Sequence, residues 1–183
     1  LPERGPEQAF DERLEWERDG QYFHYLTKWI DALGRMAATT KDVRFHVWAR
    51  ELAAVAYRAF RRAPRRLVWK MSVDLSRPLV GAAGQHDALD GYLTCRDLER
   101  TAAELGVEGQ GPDLGPAIAE FAAMIEGADL VTADPLGLGG LMVDAWRAAR
   151  LGRTETSNGE LPMRLLEAAE EGWLAYAAGG DWR

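Results

Sequence analysis

The sequence predicts an all-α fold of three antiparallel helical hairpins. Two observations carry this. Apolar residues recur at alternating spacings of three and four through most of the 183 residues, as in helices with one buried face. The helical stretches also come in pairs joined by short polar or Gly/Pro segments, the usual link between antiparallel helices. A single domain of 1–183 is expected: an irregular arm over 1–19, then hairpins over 20–62, 86–126 and 136–180.

The arm holds seven Asp or Glu against three Arg, with Phe10, Leu14 and Trp16 as its bulky apolar anchors after Pro6. It suits an irregular segment with one helical turn. Asp19 and Gly20 open a first helix, about 21–38, whose stripe is Tyr22, Leu26, Trp29, Leu33 and Met36. Thr39 to Asp42 break it. A second helix, about 43–62, carries Phe45, Trp48, Leu52, Val55 and Ala59, and Pro64 ends the pair. In 66–75, Val68, Met71 and Val73 suit a short extended segment. A third helix runs from Asp87 to Leu105 with Leu89, Tyr92, Leu93, Leu98 and Ala102 inward. Asp113 caps a fourth, about 114–126, with Leu114, Ile118, Phe121 and Ile125 on its stripe and Gly127 at its end. The fifth, about 138–151, contains Leu141, Ala145 and Ala148. A loop, GRTETSNGE, leads to a sixth, about 161–178, marked by Leu165, Ala169, Trp173 and Tyr176 and ended by Gly179 and Gly180.

Composition removes several classes. With 47% apolar and 28% charged residues the chain can build a core, so global disorder is excluded. A net charge of -7 argues against general nucleic-acid binding. The charge is uneven: 41–70 is locally +7, and Arg61, Arg62, Arg65 and Arg66 cluster within it. That cluster suits a phosphate or an anionic lipid, or a solvated helix end whose cations complement the helix dipole, and the second reading is preferred. No apolar run approaches the ~18 residues of a membrane span, so no membrane partner is expected. Cys95 stands alone, which excludes an internal disulfide and a Cys-based zinc cluster. It reads as a buried small hydrophobe and fits a reducing, cytoplasmic compartment. No signal peptide is evident, and the polar opening from Leu1 reads as the continuation of something upstream. The glycines of ADLVTADPLGLGG lack the Lys-Ser or Lys-Thr pair of a phosphate loop, so no nucleotide site is expected there.

Three segments resemble bacterial proteins of the six-hairpin glycosidase-like superfamily: DGQYFHYLTKWIDAL (19–33), WKMSVDLSRPLVGAAGQHDALDGYLTC (69–95) and TADPLGLGGLMVDAW (132–146). That superfamily includes glycoside hydrolases and the N-acylglucosamine and cellobiose 2-epimerases. The relatives it resembles are themselves uncharacterised. The resemblance implies an (α/α)6 toroid with a sugar site at the mouth where the inner helices end. A full toroid has twelve helices and this chain has six, so it corresponds to half. Half a toroid exposes apolar helical edges, which implies either self-association or a missing half in a longer protein.

On that reading a carbohydrate binds at a mouth formed by 19–29 and 69–90. Sugar recognition needs aromatic faces for stacking and carboxylates for hydroxyls. Tyr22, Trp29 and Trp69 supply the first and Asp19 and Asp90 the second, with Lys70 and Arg77 for a charged group or for pairing with Asp74 and the acidic arm. The catalytic candidates are His24, His86 and Asp87. Hydrolysis needs two carboxylates, roughly 5 Å or 6.5–9.5 Å apart, so Asp87 requires a partner such as Asp19 or Asp74. Asp87 and Asp90 also suit a plain role, satisfying N–H groups of a first helical turn. Epimerisation takes a proton from one face of a sugar carbon and returns it to the other, which suits His24 and His86. His46 faces the helix stripe or solvent and is left out of the site. No two histidines have ligand spacing on one helix, so no metal is expected, nor any cofactor. The competing reading is a non-catalytic helical sugar-binding or assembly module.

Overall fold

Three pairs of long helices carry the fold of the computed structural model, which describes residues 1–152 and 160–179. They are α2 (Phe23–Thr40) with α3 (Val43–Phe60), α4 (Asp87–Leu105) with α5 (Gly115–Ile125), and α6 (Pro135–Gly152) with α7 (Glu160–Ala178). A short α1 (Glu12–Glu17) precedes them. Four two- or three-residue strands lie around the first pair: β1 (Gln21–Tyr22), β2 (Arg61–Ala63), β3 (Arg66–Leu67) and β4 (Lys70–Met71). The all-α expectation and the helix pairing are therefore observed. The loop expected over 153–159, and Gly180 as a helix stop, lie outside the described residues.

Local chemistry sets the helix ends. Lys41 takes a left-handed conformation (φ 59°), and its N–H returns to Ala37 O to close α2. Asp42 then caps α3 through Arg44 N–H at 3.0 Å. Gly106 (φ 64°) ends α4 with Gly106 N–H on Ala103 O and Val107 N–H on Ala102 O, a paired closure that favours glycine. Asp113 accepts from Gly115 N–H at 2.9 Å at the start of α5, as its place in the sequence predicts. Asp134 accepts from Gly137 N–H at 2.7 Å ahead of Pro135, which suits the first helical turn.

The chain divides into two compact units, Leu1–Ile125 and Glu126–Arg183. In the first, α2 packs on both α3 and α4, and α4 packs on α5. Phe23 lies at its centre, its ring 5.4 Å from Phe60 and 6.0 Å from Phe121. Gly91 lets α4 meet α5: a Cβ there would lie 2.7 Å from the Phe121 ring. A void of about 10 Å³ lined by Phe23, Thr27, Ile30, Cys95 and Phe121 is barely one water in size and holds no ligand. Cys95 is buried beside it, and burial pushes its thiol up to about 12, so it is an inert hydrophobe. In the second unit Leu141, Ala145, Ala148, Leu165 and Ala169 are buried, all on the expected faces.

Two helix faces differ from expectation. In α2 the buried set is Phe23, Leu26, Thr27, Ile30, Gly34 and Ala37, while Trp29 and Met36 are exposed. In α3 it is His46, Ala49, Arg50, Ala53, Ala54, Ala56 and Phe60, while Trp48 and Val55 are exposed. Both helices are rotated by about one residue from the bulkiest stripe. Small side chains face inward, where α3 packs close to its neighbours, and the indoles face out. In α7 Trp173 is likewise exposed. The five inward residues expected on α4 are all buried.

Candidate functional site

The loop after α3 is bound back onto the start of α2. Val68 N–H donates to Phe60 O at 3.0 Å, and β4 pairs antiparallel with β1 so that Tyr22 faces Lys70. Phe23 N–H donates to Trp69 O at 3.0 Å, and Trp69 N–H to Ala82 O at 2.9 Å. These bonds fix the Trp69 ring against Tyr22, 5.4 Å between centroids. Trp16 of α1 stacks on the other part of Trp69 at 4.7 Å. Tyr22 continues to Tyr25 at 5.1 Å and to His24 at 5.8 Å. The result is a contiguous aromatic shelf in which Trp16 and Tyr25 are exposed and Tyr22, His24 and Trp69 are half-buried.

Lys70 supports this shelf from beneath. It is fully buried, its ammonium lies 5.0 Å from the Tyr22 ring, and it donates to Glu15 O and to Arg18 O, the latter at 2.6 Å. Arg77 donates to Glu3 Oε1 at 2.9 Å and to Arg4 O, and Glu3 Oε2 accepts from Val73 N–H at 3.0 Å. Arg4 in turn pairs with the buried Glu15 at 2.6 Å. Both cations proposed as ligand-binding groups are thus engaged with the acidic arm and hold it in place.

The polar end of the site lies at the start of α4. His86 occupies the N-cap position, half-buried, without a side-chain cap bond. Asp87 is buried and turns back to accept from Gly84 N–H at 2.8 Å. Burial pushes its carboxyl up to about 6, and the Asp90 charge adds to this against the Gly84 bond. Asp90 crosses to α2: Lys28 Nζ lies 2.9 and 3.0 Å from its two oxygens, and the Thr27 hydroxyl 3.2 Å from Oδ2. The two carboxylates tie the start of α4 to the preceding loop and to α2. His24 sits in the same field. Its imidazole is lowered by burial, against the pull of Asp90 and with the push of Lys28, so it is neutral at neutral pH.

Other expected residues stand apart. Trp29 is two-thirds exposed and makes no ring contact with the shelf. Asp19 is exposed just before β1. Asp74 accepts from Ser72 Oγ at 2.7 Å and from Ser76 N–H and Oγ, bonds that hold its carboxyl down to about 2 and spend it on the turn. His46, expected on the stripe or in solvent, is fully buried with both ring nitrogens unpartnered. Among the described residues no group of three His, Cys, Asp or Glu side chains could hold a metal ion.

No protein-family model, curated protein or solved structure matches the chain. The site must be read from its own chemistry. Trp16, Tyr25, Lys28 and Thr27 belong to it and were not singled out as site residues in the sequence, where Trp16 read only as an apolar anchor of the arm. The run Tyr22–Phe23–His24–Tyr25 carried a signal for Tyr25, since three ring residues beside one buried Phe leave a surface aromatic patch. Trp16 carried none, because its contact depends on how Lys70 folds the arm back.

Proposed function

We propose that the chain is a carbohydrate-active protein whose aromatic shelf stacks a sugar ring and whose Asp87 exchanges a proton with it. One observation carries the reading: a buried carboxyl raised to about 6 beside Asp90, whose charge also acts on His24 of the exposed aromatic shelf. Aromatic faces bind the apolar faces of sugars, and a carboxyl that keeps its proton toward neutral pH is the form a general acid needs. Neutral His24 is the matching proton acceptor. Lys28 and Asp90 hold the α2–α4 side of the site and offer partners for hydroxyls. The resemblance to six-hairpin glycosidase-like proteins supports the same class, with hydrolysis and epimerisation as its two reactions.

Two assays divide those reactions. For hydrolysis, a panel of oligosaccharides is incubated with the chain and with Asp87→Asn, and new reducing ends are counted. For epimerisation, deuterium wash-in at a sugar carbon is followed in the wild type, His24→Ala and His86→Ala. The proposal expects turnover in one assay, lost in the corresponding variant. Sugar binding without turnover in either leaves a binding module and removes the catalytic reading.

The same reading includes association. On α6, Leu136, Met142, Val143 and Trp146 are exposed, and on α7, Met163, Leu166, Trp173 and Leu174. So much apolar surface favours cover by a second copy or by further helices of a toroid.

A further inference from the structure

The arginine cluster expected on a solvated helix end lies mostly on a β-hairpin that follows α3. β2 pairs with β3 through Arg61 opposite Leu67 and Ala63 opposite Arg66, with Pro64 and Arg65 at the turn. Glu120 of α5 fastens it. Its carboxylate accepts from the Tyr57 hydroxyl, from Arg61 Nε at 2.6 Å and from Arg65 N–H at 2.8 Å. Arg65 is held at φ 57°, a left-handed conformation that costs a non-glycine residue roughly 1 kcal/mol. Glu120 thus neutralises Arg61 and immobilises the turn.

The other guanidiniums are left over. Arg58, Arg62, Arg65 and Arg66 are exposed, and among the described residues the side chains of these four make no ion pair. They lie within nine residues of a chain whose net charge is -7. An acidic protein that leaves four clustered arginines without ion pairs on a helix end and the hairpin fastened to it presents a site for oxyanions, because the planar guanidinium binds them through paired bonds.

Where the hairpin leads selects the ligand. Leu67 and Val68 are buried, and Trp69 enters the shelf, so the Arg66 and Trp69 backbones are at most about 11 Å apart. Toward the shelf the charge reverses, because Trp16 belongs to the arm over 1–19, which holds seven Asp or Glu against three Arg. A polymer charged at every unit, such as a nucleic acid, would be repelled there. A glycan with an oxyanion on one unit and neutral rings beyond it meets both surfaces.

We infer that the last turn of α3 and the β2–β3 hairpin, through Arg58, Arg62, Arg65 and Arg66, form an anion subsite of the shelf and that the ligand is a glycan bearing carboxylate, sulfate or phosphate beside neutral sugar rings. This rests on the carbohydrate reading above and names its ligand class.

The test is affinity electrophoresis of the full chain, at two salt concentrations, in gels containing dextran or a sparsely substituted dextran sulfate, most of whose glucose units are neutral. The wild type is retarded more by dextran sulfate. Arg62→Gln/Arg66→Gln, both at exposed positions, weakens that retardation by about tenfold for each lost guanidinium–oxyanion contact. Trp16→Ala, on the exposed end of the shelf, also weakens it, because the ligand spans both surfaces. Equal retardation in the two gels, or an arginine pair variant that behaves as the wild type, overturns the inference. So does competition by a single-stranded oligonucleotide at lower concentration than dextran sulfate, or retardation indifferent to Trp16, either of which makes the hairpin a general polyanion site. Failure of the carbohydrate chemistry itself appears elsewhere, as absent turnover on the panel while arginine-dependent retardation persists.

Discussion

A carboxyl that stays protonated toward neutral pH because it is buried leaves a signature in stability. Asp87 rises to about 6 in the fold from an ordinary value near 3.9 in the unfolded chain. Its favourable contribution is therefore complete below about pH 4 and is lost as pH rises through about 6. Asp87→Asn keeps an oxygen for Gly84 N–H and removes that loss. Urea melts should find the variant more stable than the wild type at pH 7, by up to about 3 kcal/mol, and equal to it at pH 4. A stability gain with an activity loss marks a catalytic group; a purely structural carboxylate would lose stability on the same change. His46 has the opposite sign. Burial lowers its imidazole, with Arg50 adding and Glu99 opposing, so stability falls as pH drops below about 6.5. His46→Leu should flatten that acid loss in thermal melts between pH 7 and pH 5. The type of a residue was readable in the sequence and its surroundings were not. His46 was expected on the helix stripe or in solvent and Asp74 as a carboxylate partner for Asp87, yet one is sealed in the core and the other is tied into a serine turn.

Helix starts and stops were legible because caps are local chemistry. Asp42, Asp113 and Gly106 each act through neighbours a few residues away, and α4 was expected over the residues it occupies. Helix rotation was less legible. In α2 and α3 two stripes at spacings of three and four coexist, one residue apart. The choice between them depends on partner helices that admit Ala53 and Ala56 more closely than Trp48. The basic hairpin was hidden for a similar reason, since Glu120, which fastens it, lies about 60 residues away in sequence. Close approach also gives a prediction. Gly91→Ala would drive its methyl group into the Phe121 ring and separate α4 from α5. A loss of about 1–3 kcal/mol in chemical unfolding is expected, whereas Gly139→Ala, with open space around it, should be neutral or slightly stabilising.

For the whole molecule, composition and periodicity indicated an all-α chain, and the structure is that. Among the described residues no helix is long and apolar enough to cross a membrane. The six long helices and their pairing were readable because each hairpin is a local unit. The apolar residues left exposed on α6 and α7 were not, since periodicity marks apolar faces without saying which find a partner inside the chain. If a second copy covers them, sedimentation velocity over a dilution series should show mass rising with concentration. Trp173→Glu/Leu174→Glu should return the chain to one monomeric boundary, and a single monomer in the wild type at all concentrations would count against self-association.

The proton on Asp87 joins these scales, because its carboxyl accepts the loop bond from Gly84 and lies in the field of Asp90, which makes the α2–α4 contact. The most direct test is the initial rate of sugar turnover against pH, on the best substrate of the panel, for the wild type and Asp87→Asn. The wild-type rate should fall as pH rises through about 6, and the variant, still folded, should be slower by at least about a hundredfold with that limb gone. An Asn variant as fast as the wild type, or a wild-type rate without that limb, would contradict the account.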